Sequence, residues 1–163
     1  MTIVSDATSL ILLAKVGLLE KFVTRNAVVM PSAVYVEVAK GKDKGRLDAL
    51  LVERLVDEKK LGISVPDNET KVRIEKLFNV HGGELEVLAI ALGTKKTILT
   101  DDKKCFNAAK ALKLSFITSL DVVVALYKKG VISKQAALQC VENLDSYGWY
   151  AQGLIKTYKE AVK

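Results

Sequence analysis

The sequence contains few of the residues that build a disulfide scaffold, a zinc site or a histidine-based active site. Among 163 residues there are two cysteines, Cys105 and Cys140, and one histidine, His81. Two distant cysteines support neither a disulfide framework nor a zinc motif, so we expect two reduced thiols. A Ser/His/Asp triad would have to use His81, which we interpret as a loop residue.

Long apolar runs and nucleotide-binding loops are missing as well. No run reaches the roughly 18 residues that a membrane-spanning helix needs. Residues 1–6 have neither the basic start nor the long apolar centre of a signal peptide. The motifs G-x-x-x-x-G-K-[ST] and G-x-G-x-x-G do not occur. We therefore expect a cytoplasmic protein that does not contact a membrane.

What is present is enough apolar material for a packed core and a surplus of lysine. Half of the residues are hydrophobic, which predicts one globular domain over residues 1–163. Charges cancel in residues 1–94, whereas residues 95–163 hold 12 lysines and 6 acids, which account for the net charge of +6. This surplus indicates a polyanionic partner, or else lysines that only keep helices soluble.

Short apolar strands alternate with helical patterns along the whole chain. Strands are predicted at residues 2–5, 27–30, 63–65, 97–100 and 114–117. Helices are predicted between them, with Ser32 and Asn68 as caps and with Val72, Leu77 and Phe78 facing inward. This alternation predicts an α/β fold with a central parallel sheet between two helical layers.

Four carboxylates occupy comparable places in this predicted fold. Asp6 ends the first strand, Glu37 lies in an early helix, Glu84 begins a central helix, and Asp101 with Asp102 follows a later strand. The carboxyl ends of parallel strands share one edge of a sheet, and the helices that follow strands begin there. We therefore expect these carboxylates to converge at that edge.

A group of carboxylates without nearby bases stays ionised only if a cation neutralises it. Oxygen ligands suit hard divalent ions such as Mg2+ or Mn2+. Such a site would support metal-assisted hydrolysis of phosphodiesters. Each acid also has a structural interpretation, because Asp6 can cap a helix, Glu37 can be a surface residue, and Asp101 and Asp102 can form a turn.

The ordered set of acids and flanking residues resembles one family. Residues 3–15 (IVSDATSLILLAK), 28–38 (VVMPSAVYVEV), 82–92 (GGELEVLAIAL) and 98–102 (ILTDD) are similar to the PIN-domain nucleases, in particular to the small prokaryotic branch related to VapC toxins. Residues 114–132 and the final helix are similar to the same branch. The resemblance implies a PIN-like α/β/α sandwich and a Mg2+- or Mn2+-dependent endoribonuclease.

Site residues follow from the resemblance position by position. It implies catalytic roles for Asp6, Glu37, Glu84 and Asp101, and metal ligation by Asp6, Glu84, Asp101 and Asp102. Whether Asp101 or Asp102 is the fourth acid stays open. Glu84 is preferred over Glu86, because Leu88 and Ala91 fit the apolar helix face that follows the third acid of the family.

Other residues have secondary roles in this interpretation. Thr8 falls where the family often has a small hydroxyl residue, and Glu86 is placed in a second shell or at the surface. Lys103 and Lys104 stand where many relatives have arginine or asparagine, and they are candidates for contacting the RNA backbone. Trp149 and Tyr150 are interpreted as core or dimer contacts rather than base-stacking platforms.

The resemblance also implies partners, namely an RNA substrate, an antitoxin protein that inserts into the acidic cleft, and a second copy of the chain in a homodimer. The competing hypothesis is a catalytically silent PIN-like module that binds RNA or a protein, with the acids forming only a solvated patch.

Overall fold

A computed structural model describes residues 2–148 and 150–163 of the chain. Within these residues five strands pair in parallel. The strands are β1 (Thr2–Ser5), β2 (Ala27–Pro31), β3 (Leu61–Ser64), β4 (Thr97–Leu99) and β5 (Phe116–Ile117). The helices of the same described part are α1 (Ala7–Lys15), α2 (Leu19–Arg25), α3 (Ser32–Ala39), α4 (Leu47–Asp57), α5 (Asn68–Leu77), α6 (Gly82–Thr94), α7 (Lys103–Ala111), α8 (Ser119–Lys128), α9 (Lys134–Tyr147) and α10 (Gln152–Ala161). The architecture is the predicted three-layer α/β/α sandwich.

The strand order is β3-β2-β1-β4-β5, so the chain reverses its direction of travel across the sheet at β1. Ser5 at the end of β1 lies opposite Leu99 at the end of β4, and the next backbone N–H, that of Asp6, donates to the Leu99 carbonyl at 3.2 Å. Open α/β sheets bind ligands beyond the carboxyl ends of the strands at such a reversal. The two acidic segments that follow β1 and β4 therefore emerge side by side.

Helix α6 is a core helix. Its residues from Leu85 to Ala91 are buried all round, and Leu88 and Ala91 are among the fully buried side chains, as predicted. Because its body is held on every side, the first turn of α6 has a fixed position, and that turn carries Glu84. None of the helices in the described residues is long and apolar enough to cross a lipid bilayer.

The predicted capping residues of two helices are wrong. Helix α3 begins at Ser32 itself, directly after Pro31, so the Ser32 side chain does not cap it. Helix α5 is capped by Asp67, one residue before the predicted Asn68, because the Asp67 carboxylate accepts the Thr70 N–H at 3.0 Å.

The predicted inner face of α5 is also wrong in part. Leu77 is 69% exposed and Val72 is 39% exposed, whereas Ile74 is fully buried. A helix this polar packs through a narrow stripe, and a one-turn apolar pattern does not identify which residues form that stripe. Phe78 packs against the core as predicted.

Candidate active site

Asp6 lies at the point where β1 passes into α1, and both of its carboxylate oxygens accept hydrogen bonds. Oδ1 accepts the Ser9 N–H at 2.8 Å, which makes Asp6 the N-cap of α1, and Oδ2 accepts the Thr100 hydroxyl at 2.5 Å. The side chain is buried. Burial raises its pKa to about 6, against the lowering effect of the Thr100 and Ser9 hydrogen bonds, and the charge of Asp101 adds to the rise. Asp6 therefore caps a helix, and its ionised form is less stable than that of an exposed aspartate.

Asp101 joins three parts of the chain. Its Oδ2 accepts the hydroxyls of Ser9 at 2.7 Å and Ser119 at 2.5 Å. Its Oδ1 accepts the Ser119 N–H at 3.1 Å and the Tyr150 hydroxyl at 2.7 Å. The Ser119 N–H also reaches Oδ2 at 3.3 Å, so five hydrogen bonds use the lone pairs of this carboxylate.

Asp102 has a different environment, although it is the next residue. It caps α7 by accepting the Cys105 N–H at 2.9 Å, and its own N–H donates to Thr100 Oγ1 at 3.1 Å. Thr100 therefore bridges Asp102 and Asp6 through a single hydroxyl. Among the described residues the Asp102 carboxylate accepts the backbone hydrogen bond at Oδ1, whereas Asp101 accepts several, so Asp102 keeps more free acceptor capacity than Asp101.

Glu84 occupies the first turn of α6 and faces other acids. Burial raises its pKa, and so do the negative charges of Asp102 and Glu37, whereas Lys104 lowers it. These effects require Glu37, Glu84 and Asp102 to be neighbours. The acids therefore form two linked groups, with Asp6 beside Asp101 and Glu84 beside Asp102 and Glu37.

The approach of Glu37 to this cluster depends on Gly83. Glu37 is an exposed residue of α3, and a Cβ atom at position 83 would lie 3.5 Å from its Oε2 and 2.9 Å from Cγ2 of Val34. A distance of 2.9 Å is a steric clash. The glycine therefore lets α3 lie against the start of α6, which brings Glu37 near Glu84.

The pKa of the buried Cys105 thiol is affected by several of these acids. Burial raises its pKa to about 12, and the charges of Asp6, Glu84 and Asp102 contribute to the rise. A fully buried thiol that senses acids from three segments lies directly beneath the cluster. Cys105 and Cys140 are both free thiols, as predicted.

A cavity of about 450 Å³ opens beside the acids. Its wall is formed by α1, the start of α7 and the end of α9, through Thr8, Leu12, Asp101, Asp102, Lys103, Tyr147, Gly148 and Tyr150. Thr8 and Lys103 are exposed, so the cavity is accessible from solvent. Carboxylates, an ammonium group and two phenol rings thus share one opening.

In residues 2–148 and 150–163, no three His, Cys, Asp or Glu side chains form a ready-made metal cage. The donor set nevertheless fits a hard cation. Every candidate ligand is a carboxylate, and burial together with neighbouring negative charge raises the pKa values of Asp6 and Glu84, although Lys104 lowers that of Glu84. His81 is exposed and contacts Asn79 at 3.0 Å in the loop before α6.

Comparison with known proteins decides the family. A family model described as a PIN domain, DUF3368, matches residues 2–163. This chain belongs to the PIN-domain family.

Individual proteins are similar to this chain to different extents. Ribonuclease VapC1 of Thermoplasma acidophilum is 31% identical over 119 residues, which are 69% of this chain and 55% of that protein. The chain thus spans about half the length of that relative. The solved structure of VapBC-1 from nontypeable Haemophilus influenzae has a TM-score of 0.54 and 18% identity, covering 73% of this chain and 98% of the other. VapBC2 from Rickettsia felis, bound to a promoter DNA fragment, has a TM-score of 0.48 and 15% identity, covering 72% and 98% of the two chains.

Within this PIN domain, Glu86 lies apart from Glu84. It is 9% exposed and faces α5, where its Oε2 is 3.6 Å from Nζ of Lys71. Its Oε1 is buried without a hydrogen-bond partner among the described residues. The two glutamates point in different directions, as their separation of about 200° around the helix requires.

The predicted basic residues lie at the mouth of the PIN-domain site. Lys103 and Lys104 are exposed in the first turn of α7, which begins directly after its cap Asp102. Lys103 lines the cavity, and Lys104 lowers the pKa of Glu84. Thr8 lines the same cavity.

Sequence reasoning did not identify the hydroxyl residues that organise the acids. Thr100, Ser119 and Tyr150 each donate a hydrogen bond to Asp6 or Asp101. Thr100 is the last residue of one predicted strand and Ser119 lies two residues after another, which was the only available signal. Trp149, interpreted together with Tyr150 as a core or dimer contact, lies outside the described residues.

Proposed function

We propose that this protein is a Mg2+- or Mn2+-dependent endoribonuclease. The observation that carries the proposal is the gathering of acids from four segments of a PIN domain at the strand-order reversal, with the pKa of Asp6 raised to about 6. Burying neighbouring carboxylates in their charged form is unfavourable, and a cation bound between them would offset this unfavourable free energy. The similarity to a protein named ribonuclease VapC1 supports RNA as the substrate.

We assign different roles to the acids. Asp6, Glu84 and Asp102 would hold the cation, since the hydrogen bonds that Asp6 and Asp102 accept leave acceptor capacity on both carboxylates. Asp101 would anchor the site, because its lone pairs are used by Ser9, Ser119 and Tyr150. Glu37, exposed and next to Glu84, would complete the negative surface that orients a water molecule.

A bound divalent ion supplies Lewis acidity and a water molecule of lowered pKa. The protein's own residues do the rest. Thr100 orients the Asp6 carboxylate, and Ser9 fixes Asp6 and Asp101 relative to each other through its N–H and its hydroxyl. Lys103 and Lys104, at the mouth of the site, would bind backbone phosphates on either side of the cleaved bond.

The test is cleavage of single-stranded RNA with Mn2+ by Asp6→Asn and Glu84→Gln. We expect both variants to fold and to lose at least about a hundredfold in rate, because each removes charge from the cation site. Asp57→Asn and Glu75→Gln are matched controls on exposed helix positions and should cleave like the wild type. Full activity in both site variants would overturn the proposal.

Asp102→Asn and Asp101→Asn separate the two adjacent acids. We expect Asp102→Asn to weaken Mn2+ binding in titration calorimetry with little change in unfolding temperature. Asp101→Asn should instead lower the unfolding temperature, because it disturbs five hydrogen bonds. If instead Asp101→Asn weakened Mn2+ binding and Asp102→Asn lowered the unfolding temperature, Asp101 would be the ligand and Asp102 the anchor.

The second candidate function is a silent PIN-like module that binds RNA or a protein. It is favoured by one observation, that no three potential ligands in the described residues form a ready-made metal cage. Titration of the protein with Mn2+ distinguishes the two functions. Absence of binding at millimolar Mn2+ would favour the silent module.

We further propose a cytoplasmic toxin that is controlled by an antitoxin and forms a homodimer. The antitoxin follows from the resemblance to the branch related to VapC toxins, which the similarity to a protein named ribonuclease VapC1 supports. The dimer is supported by exposed apolar side chains on α4 and around β3, including Leu47, Leu50, Ile63 and Val65. Light scattering on Leu47→Glu tests the dimer, and co-purification of the protein encoded by the adjacent gene tests the antitoxin.

A further inference from the structure

The cavity between the acids and the end of α9 has properties that metal binding does not explain. Its outer wall consists of Tyr147, Gly148 and Tyr150, and its inner wall includes Leu12 and Thr8. The cation site needs oxygen ligands, not phenol rings or a leucine. We propose that this cavity binds the nucleobase of an RNA nucleotide adjoining the cleaved phosphodiester, an inference that rests on the proposed ribonuclease function.

The aromatic wall is held in place before any ligand arrives. The Tyr150 hydroxyl donates to Asp101 Oδ1 at 2.7 Å, and the same hydrogen bond connects the wall to the acids. Because the ring is already fixed, little side-chain conformational entropy is lost when a base stacks on it.

Tyr147 supplies the accessible part of the wall. It is the last residue of α9 and is 52% exposed, which is unusual for a large aromatic side chain with no partner domain in contact. The ammonium of Lys15 lies 5.4 Å from the centroid of its ring. Exposed aromatic rings with nearby cations are the recurring platform on which proteins stack single-stranded nucleic acid.

The composition of the cavity fits a base better than other small groups. A phosphate or carboxylate would be repelled by Asp101 and Asp102, whereas a base is neutral, flat and apolar on its faces. The Thr8 hydroxyl and the carboxylates offer hydrogen-bond partners for the edge of a base. Lys103 on the rim can pair with the phosphate that follows it.

The volume and position of the cavity agree with this occupant. About 450 Å³ is within the range of roughly 300–1,000 Å³ typical of small-ligand pockets. Because Asp101 and Asp102 belong to both the cavity and the acidic cluster, a base in the cavity places its own phosphate next to the proposed cation site. The cavity would thus determine which nucleotide is presented for cleavage.

The experiment measures binding and cleavage of one single-stranded RNA by the full chain. Binding is measured in EDTA, where the RNA stays intact, and cleavage is measured with Mn2+. We expect Tyr147→Ala to weaken RNA binding about tenfold, the loss typical of one stacked base. It should raise KM with little change in kcat, and Tyr147→Phe should recover most of the lost affinity.

A set of RNAs with one abasic nucleotide moved along the chain identifies the bound base. At one position, loss of the base should weaken binding to the wild type about tenfold, and Tyr147→Ala should then cause no further loss. Equal effects of Tyr147→Ala on intact and abasic RNA would overturn the inference. Leu77→Ala, an exposed residue on α5, serves as the control for removing a large surface side chain.

The outcomes separate this inference from the proposed function. If the protein cleaves RNA and Tyr147→Ala binds and cleaves like the wild type, the base subsite is wrong and the ribonuclease stands. In that case a protein segment, and not a base, would be the occupant of the cavity. If no RNA is cleaved but binding depends on Tyr147 and on one base, the ribonuclease is wrong and the base subsite stands.

Discussion

The Tyr150 hydroxyl donates a 2.7 Å hydrogen bond to Asp101, a residue 49 positions earlier in the chain. This bond connects the segment after α9 to the end of β4. A second tyrosine repeats the arrangement, since the Tyr158 hydroxyl donates to Asp121 Oδ1 at 2.5 Å. The last helix is therefore attached to the start of α8, and the segment before it to the end of β4, through two phenol–carboxylate pairs.

Tyr150→Phe should destabilise the protein while keeping the ring in place. We expect a loss of about 1–2 kcal/mol in the free energy of unfolding, because a hydrogen bond to a charged group is removed. Urea denaturation measures the loss, and hydrogen exchange should show faster opening of α10. Tyr127→Phe on α8 is the matched control and should change neither quantity. Equal exchange rates in α10 of wild type and Tyr150→Phe would contradict the anchoring role.

The raised pKa of Asp6 predicts how stability depends on pH without divalent ions. The folded pKa is about 6 and the ordinary value is 3.8, so the folded state binds more protons between these values. Stability should therefore rise as pH falls, by about 1 kcal/mol from pH 7 to pH 5. The raised pKa of Glu84 acts in the same direction.

Asp6→Asn should remove most of this pH dependence. It should also make the protein more stable than wild type at pH 7 in EDTA, because a buried negative charge is replaced by a neutral cap. Thermal unfolding in EDTA at pH 5, 6 and 7 measures both effects. A wild type that loses stability from pH 7 to pH 5 would contradict the prediction.

Gly83 and Gly93 in the same helix should respond oppositely to alanine. A Cβ at position 83 would lie 2.9 Å from Val34 Cγ2, whereas a Cβ at position 93 would have no neighbour within 4 Å. We expect Gly83→Ala to cost about 1–3 kcal/mol through overpacking and to displace α3 with Glu37. Gly93→Ala should gain up to about 1 kcal/mol of helix stability.

Chemical denaturation of the two variants checks this pair, and Gly93→Ala is the control for the substitution itself. The RNA-cleavage rate of Gly83→Ala should fall as well if Glu37 acts in the site. A Gly83→Ala protein as stable as Gly93→Ala would show that α3 has room to move away from α6.

The Lys71–Glu86 pair predicts a double-mutant result. Lys71→Met leaves a buried carboxylate without its ammonium partner and should cost about 2 kcal/mol. Lys71→Met with Glu86→Leu removes both charges and should regain most of that loss, because Glu86 Oε1 accepts no hydrogen bond from the residues that the structure describes. Urea denaturation of the four proteins gives the coupling energy, and additive losses would contradict it.

Much of the fold was predictable because its signals are local. Alternating apolar strands and helical patterns are properties of short segments, and they predicted the parallel sheet, which the structure confirms. The burial of α6 followed from its apolar body in the same way. Caps and helix faces such as those of α5 were less predictable, since Asp67 and Asn68 are both good caps and only packing selects one.

The sequence by itself was sufficient to assign the family. It was also sufficient to place Asp6 and the Asp101–Asp102 pair at one edge of the sheet. The parallel pairing of β1 with β4 makes that convergence a consequence of chain order. Only the tertiary structure decided how the acids differ from one another. Asp101 and Asp102 are adjacent and identical in the sequence, yet Asp101 receives hydroxyls from Ser9, Ser119 and Tyr150 while Asp102 faces Glu84. The physical reason is that hydrogen-bond donors arrive from distant segments, and their directions exist only after the chain has packed.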